Sequence, residues 1–173
     1  MLLDNEVKDN LAYYIAQYNI SSTNQRAMLL YSKSSILEVC GWVEEAMDKL
    51  VLDSAVRCRL SNARIKAIEE KYVNTTYGFS YKNHFEKMIV SVLGYQVLQV
   101  AEIKCVRYLA SMHGSLSELT PLRGYYAHTH FDLISPYPGT RTNIPTPSIM
   151  QNHLNNIQLG LTELESELKA LNC

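Results

Sequence analysis

Four of the five prolines in this 173-residue chain fall within residues 136–147. Proline lacks a backbone N–H and clashes with the preceding helical turn, so crowding it into one place leaves long tracts on either side free to stay helical. With only 7 glycines in the whole chain, there is little else to interrupt them. Apolar residues in these tracts recur every three or four positions, the repeat of a helix lying on a core. The pattern predicts an all-α protein, a compact bundle of five to six helices. It forms a single domain over 1–173, with no internal repeat.

The expected helices can be placed along the chain. "EVKDNLAYYIAQYN" sets Leu11, Tyr14, Ile15 and Tyr18 on one stripe, and "SSTN" ends it and caps the next. The second helix is long, "QRAMLLYSKSSILEVCGWVEEAMDKLVLDSA", with Leu29, Ile36, Val39, Val43, Met47, Leu50 and Val51 at helical spacing beside Trp42. "CRLSNARIKAIEEKYV" forms a shorter one, and "NTTYGFSYKN" is a turn-rich aromatic connection. "HFEKMIVSVLGYQVLQVAEIKCVRYLASMH" reads as one continuous central helix despite its β-prone middle. Ser115 with Glu118 makes a capping box, and Thr120 before Pro121 marks a fresh or kinked helix from 121 to about 132. After the loop "ISPYPGTRTNIPTP", "PSIMQNHLNNIQLGLTELESELKAL" closes the chain, its stripe formed by Ile149, Leu154, Ile157, Leu161, Leu164, Leu168 and Leu171.

Composition narrows the function classes. A net charge of −1 gives no global basic character, so any nucleic-acid contact needs a local patch. The best such segment is "RCRLSNARIK", where Arg57, Arg59, Arg64 and Lys66 could hold an RNA backbone, although Glu69 and Glu70 follow at once. No apolar run approaches a membrane span, and "MLLDNEVKDN" has acidic residues where a secretion leader would be basic. Both point to a cytoplasmic protein with no membrane partner. The four cysteines, Cys40, Cys58, Cys105 and Cys173, are scattered without a CxxC pair, so a cysteine zinc site is not expected.

The densest chemistry lies in "LRGYYAHTH", residues 122–130. Leu119, Leu122, Tyr126 and Leu133 cluster on one helical face, with Arg123 at its edge. His130 returns close to the face of Arg123, and His128 lies about 140° round from Arg123 at ~100° per residue, almost opposite the apolar stripe. A solvent-facing His128 and a hydrogen-bonded structural His130 are the ordinary outcome for such a helix. "HTHFD" also resembles the start of the metallo-β-lactamase zinc motif. However, that motif follows a strand, has another histidine where Leu133 stands, and needs ligands beyond the lone downstream His153. Neither a metal nor any other cofactor is expected.

The same stretch resembles the Arg-x4–6-His signature of the HEPN superfamily, with Arg123, Ala127 and His128 in register. The layout agrees, since a late helix carries the motif and a loop and a terminal amphipathic helix follow. "YGFSYKNHF" at 77–85, ahead of a long apolar helix, is similar to the RiboL-PSP and MAE_28990-like branches. Gly124 differs from the Asn, Asp or His that follows the arginine in active members. His130 stands where members paired with nucleotidyltransferases often carry a tyrosine.

The resemblance implies a metal-independent endoribonuclease, a toxin or defence effector, working at a homodimer interface with an antitoxin or defence-system partner. Arg123 would bind the scissile phosphate, and His128 with its symmetry mate would move protons at the ribose 2′-OH and the leaving oxygen. The products would be a 2′,3′-cyclic phosphate and a 5′-hydroxyl. His130 would be auxiliary, Tyr125 could stack on a base, and Glu38 on the second helix could orient Arg123. The alternative is a non-catalytic HEPN-like binding or regulatory module, a reading that Gly124 favours.

Overall fold

A computed structural model describes residues 5–128 and 144–171. Seven α-helices and two π-helical turns follow one another, with no strand among the described residues. The fold is an all-α bundle, and none of its described helices is long and apolar enough to cross a membrane.

Helix α2, Gln25–Arg57, is the spine on which α1 (Asn5–Ile20), α4 (Glu86–Leu93), α6 (Val106–His128) and α7 (Pro147–Ala170) all pack. The Asn24 side chain accepts the Ala27 N–H at 3.1 Å and so satisfies one of the donors left over at a helix start. Ile36, Val39, Val43, Met47 and Leu50 bury one face of α2. Three serines, Ser32, Ser35 and Ser54, are buried with them, and two donate their hydroxyls to their own helix: Ser35 to the Ser32 carbonyl at 2.8 Å, Ser54 to the Leu50 carbonyl at 2.7 Å. Neither hydroxyl is therefore buried without a partner, which would cost about 1–3 kcal/mol. The helix ends where Arg59 takes a left-handed φ of 53°.

The expected helix over 84–113 is broken in two places. A π turn, Tyr81–Phe85, leads into α4, Gly94 turns the chain at φ 79°, and α5 (Tyr95–Lys104) ends at Cys105 before α6 begins. The left-handed backbone at Gly94 suits glycine and cannot continue a right-handed helix. Helical periodicity on either side disguised this break. Similarly, the third expected helix is α3 (Asn62–Ile68) followed by a π turn, Glu69–Val73.

The reverse error occurs at 115–121, where α6 runs uninterrupted past the expected capping box and the fresh start at Pro121. Ser115 is buried and accepts a hydrogen bond from Asn156 Nδ2 of α7 at 3.2 Å, so it is a packing contact and not an N-cap. Pro121 lies inside the helix, where it leaves one carbonyl of the preceding turn without its usual donor. Thr120 donates its hydroxyl to the Leu116 carbonyl at 2.8 Å in the same turn. Leu119, Leu122 and Tyr126 are buried as expected, while Leu133 lies outside the described residues. On α7 the stripe is right except at its start, where Met150 is buried and Ile149 is exposed.

Candidate functional site on helices two and six

Arg123 projects from α6 against α2, and its partner there is Glu44. Nη2 donates to Glu44 Oε2 at 3.3 Å, while Nε sits 2.8 Å from Oε1. The Nε–H is not aimed at Oε1, a buried oxygen that accepts no hydrogen bond. The contact at Oε1 is therefore mainly one of charge. Both contacts use the Nε/Nη2 edge of the guanidinium, and its opposite edge meets no acceptor among the described residues. The two side chains are 34% and 29% exposed, so the ion pair is half sheltered and the guanidinium still reaches water.

Glu38 does not fill the expected role. Its carboxylate accepts Asn10 Nδ2 at 2.7 Å, tying α1 to α2. Six residues on α2 separate Glu38 from Glu44, about 9 Å along the axis at ~1.5 Å per residue. Both belong to the same helix, and only the side of α2 that meets α6 decides between them. "EEAMD" holds the signal that was missed, because Glu44 and Asp48 are one turn apart.

Asp48 belongs to the same acidic surface. Burial, reinforced by the Glu44 and Glu45 carboxylates, pushes its carboxyl up to about 6. Burial and Glu44 likewise push the Cys40 thiol up to about 12, against the opposing pull of Arg123. A thiol so far from ionising at neutral pH is a poor nucleophile. Glu44, Glu45 and Asp48 thus lie close together on α2 with Arg123 on Glu44, and the locality carries an excess of negative charge that a proton on Asp48 reduces.

This arrangement has a measurable consequence for stability. An acid whose folded-state pKa is raised costs stability when ionised, and the folded state recovers that cost as pH falls through the raised value. Asp48→Asn is therefore expected to raise the melting temperature at pH 7 to 8. The gain should shrink as pH drops through about 6 and vanish below the ordinary aspartate value of 3.8. Thermal melts of the two proteins across that range check it, and a gain that persists unchanged at low pH would contradict it.

The other sequence candidates are distributed as follows. His128 is the last described residue of α6, so it shares a helix with Arg123, while its side chain, with His130, lies outside the described residues. Tyr125 is half-buried and packs edge-on against Tyr126 at 4.8 Å between ring centres, which makes it at least partly a packing residue. Arg57 donates to Ser54 Oγ at 2.8 Å, and Lys66 pairs with Glu70 at 3.7 Å. Arg59 and Arg64 are exposed. From Glu44 to Arg57 is thirteen residues of α2, about 20 Å, so Arg57 is not part of the Arg123 locality.

His153 is taken up elsewhere: its Nε2 lies 3.4 Å from Glu118 Oε2, and burial pulls its imidazole below the usual value against the effect of Glu118. Among the described residues no group of three or more His, Cys, Asp or Glu side chains is placed to hold a metal. A second polar cluster gave no sequence signal because its members are far apart in the chain. Tyr81 donates to Glu102 Oε1 at 2.6 Å, and its ring lies 4.3 Å from that of His113. Burial lowers the His113 pKa.

No family model, characterised protein or solved structure matches the chain.

Proposed function

We propose that the protein is a metal-independent endoribonuclease of HEPN type, acting as a homodimer in a toxin or defence system. The observation that carries this reading is the Arg123–Glu44 pair. A carboxylate on one edge of the guanidinium holds it against α2 by charge and one hydrogen bond, and the other edge, which meets no acceptor among the described residues, has donors for an anion. Fork-shaped donation to a phosphate is the chemistry arginine suits best, and a charged donor already held in place need not reorganise when the phosphorane forms. His128, five residues on along the same helix, supplies an imidazole, the side chain most often used as general acid or base, for proton transfer at the 2′-OH or the leaving oxygen. Glu44 is then the positioning residue for Arg123.

A single chain offers one Arg123 and one His128, whereas acid and base steps need two proton-transferring groups. Pairing two copies across α6 supplies both. The second reading, a non-catalytic binding or regulatory module in the same kind of system, draws on two observations. Gly124 has no side chain to help place a phosphate, and Glu44, Glu45 and Asp48 outnumber the one arginine near them.

Incubation of the purified protein with mixed RNA, with and without EDTA, tests the proposal. Cleavage is expected to survive EDTA, to leave 2′,3′-cyclic ends, and to fall at least a hundredfold in both His128→Ala and Arg123→Ala. Mass measurement is expected to give a dimer. Binding of RNA without cleavage would replace the nuclease by the binding module.

A further inference from the structure

We infer that residues 57–87 form a face for single-stranded RNA, with Tyr77 as the platform on which a base stacks. This rests on the RNA-directed reading above, and it answers a difficulty that reading leaves. The surroundings of Arg123 are acidic, so most of the attraction for a polyanion has to come from another part of the molecule.

The cations are concentrated in one stretch. Residues 57–87 hold seven of the chain's sixteen basic residues and three of its seventeen acidic ones, which leaves the rest of the chain net acidic. In the fold they fall on neighbouring elements, since α3 joins its π turn and both pack on α4. Arg64, Lys71, Lys82 and Lys87 are all exposed and form no ion pair among the described residues. A groove or face of this sign follows a nucleic-acid backbone, and exposed aromatic rings beside it give a strand its second means of attachment.

Tyr77 is such a ring, and it is held on a built support. It is 80% exposed, yet the turn that carries it is fixed on both sides. Val73 and Phe79 are buried on either side of it. Thr75 donates to the Lys71 carbonyl at 2.7 Å, and the Thr76 N–H donates to the Val73 carbonyl at 3.1 Å. Gly78 takes φ 112°, and a Cβ there would stand 2.9 Å from the His84 ring. That ring in turn accepts the Ser80 N–H on Nδ1 at 3.1 Å. A tyrosine displayed on a rigid turn loses little freedom when it stacks, which favours its use as a contact.

The test uses full-length His128→Ala protein, which keeps the RNA intact, and fluorescence anisotropy with a labelled oligouridine. Tyr77→Ala is expected to weaken binding about tenfold, Tyr77→Trp to restore it, and Tyr95→Ala, at another exposed tyrosine, to leave it unchanged. Replacing Lys71, Lys82 and Lys87 together by alanine should flatten the salt dependence of log K by about 2. Unchanged affinity in Tyr77→Ala overturns the inference, as does preference for duplex DNA or for anionic vesicles over the oligouridine. The two readings fail separately. RNA bound through Tyr77 but left uncut by the wild type sinks the nuclease alone. RNA cut with a kcat/KM indifferent to Tyr77→Ala sinks this face alone.

Discussion

Arg123→Lys is expected to lower kcat/KM for RNA cleavage by at least a hundredfold while leaving the protein folded. The substitution keeps the charge and removes the fork. In the native side chain one edge meets Glu44, and the other meets no acceptor among the described residues. A lysine ammonium is a single point of charge and would settle on Glu44, the nearest carboxylate, with no planar edge left to address a phosphate. Loss of one well-placed donor at a developing oxyanion costs about 10²–10³ in rate, and here the positioning is lost with it. Glu44→Gln should do less, about tenfold, because an amide oxygen still accepts from the guanidinium but no longer holds it by charge. Steady-state kinetics on a short RNA decide the matter. An Arg123→Lys enzyme within a few fold of the wild type would remove the guanidinium from the reaction.

That prediction depends on a contact between α2 and α6 that the sequence does not specify, and the limit is instructive. Periodicity within a segment shows which face of a helix is apolar, so most of the buried stripe of α2 and of α7 was legible, with Met150 in place of Ile149, and on α6 the run Leu119, Leu122 and Tyr126. It does not show which polar residue at the edge of one stripe meets which residue at the edge of another. Glu38 and Glu44 both border the buried face of α2. Only the packing of α1 on one side and α6 on the other gives Glu38 to Asn10 and Glu44 to Arg123. Chain breaks failed for a local reason. At Gly94 a single left-handed residue interrupts a pattern that stays helical on both sides, whereas Pro121 is tolerated where a break was expected. The turn at 77–80 was legible as a turn but not as a rigid one, because the His84 ring that fixes it comes from the next element.

The tightest helix contact leads to the largest expected effect on stability. Gly160 of α7 is buried against Met112 of α6, and a Cβ built on it would stand 2.6 Å from Met112 Cβ and 2.9 Å from the sulfur. The sulfur can swing aside, but the Cβ moves only with its backbone, so any side chain at 160 must push α6 and α7 apart. Gly160→Ala gains about 1 kcal/mol of helix propensity, and overpacking costs about 1–3 kcal/mol against it, for a small net loss. Gly160→Leu has no such balance. It is expected to destabilise by about 3 kcal/mol or more, lowering the melting temperature by roughly 6–12 °C in a chain of this size. Met112→Ala in the same protein should recover part of the loss, since it makes room where the leucine needs it, although alone it would leave a cavity. Thermal melts of the two single variants and the double variant test this, and a Gly160→Leu protein as stable as the parent would refute the close approach. Because α6 also carries Arg123, the same wedge should shift the guanidinium relative to Glu44. RNA cleavage by Gly160→Leu should then fall even at temperatures where the protein remains folded, and return only in part with Met112→Ala, which keeps the Cβ.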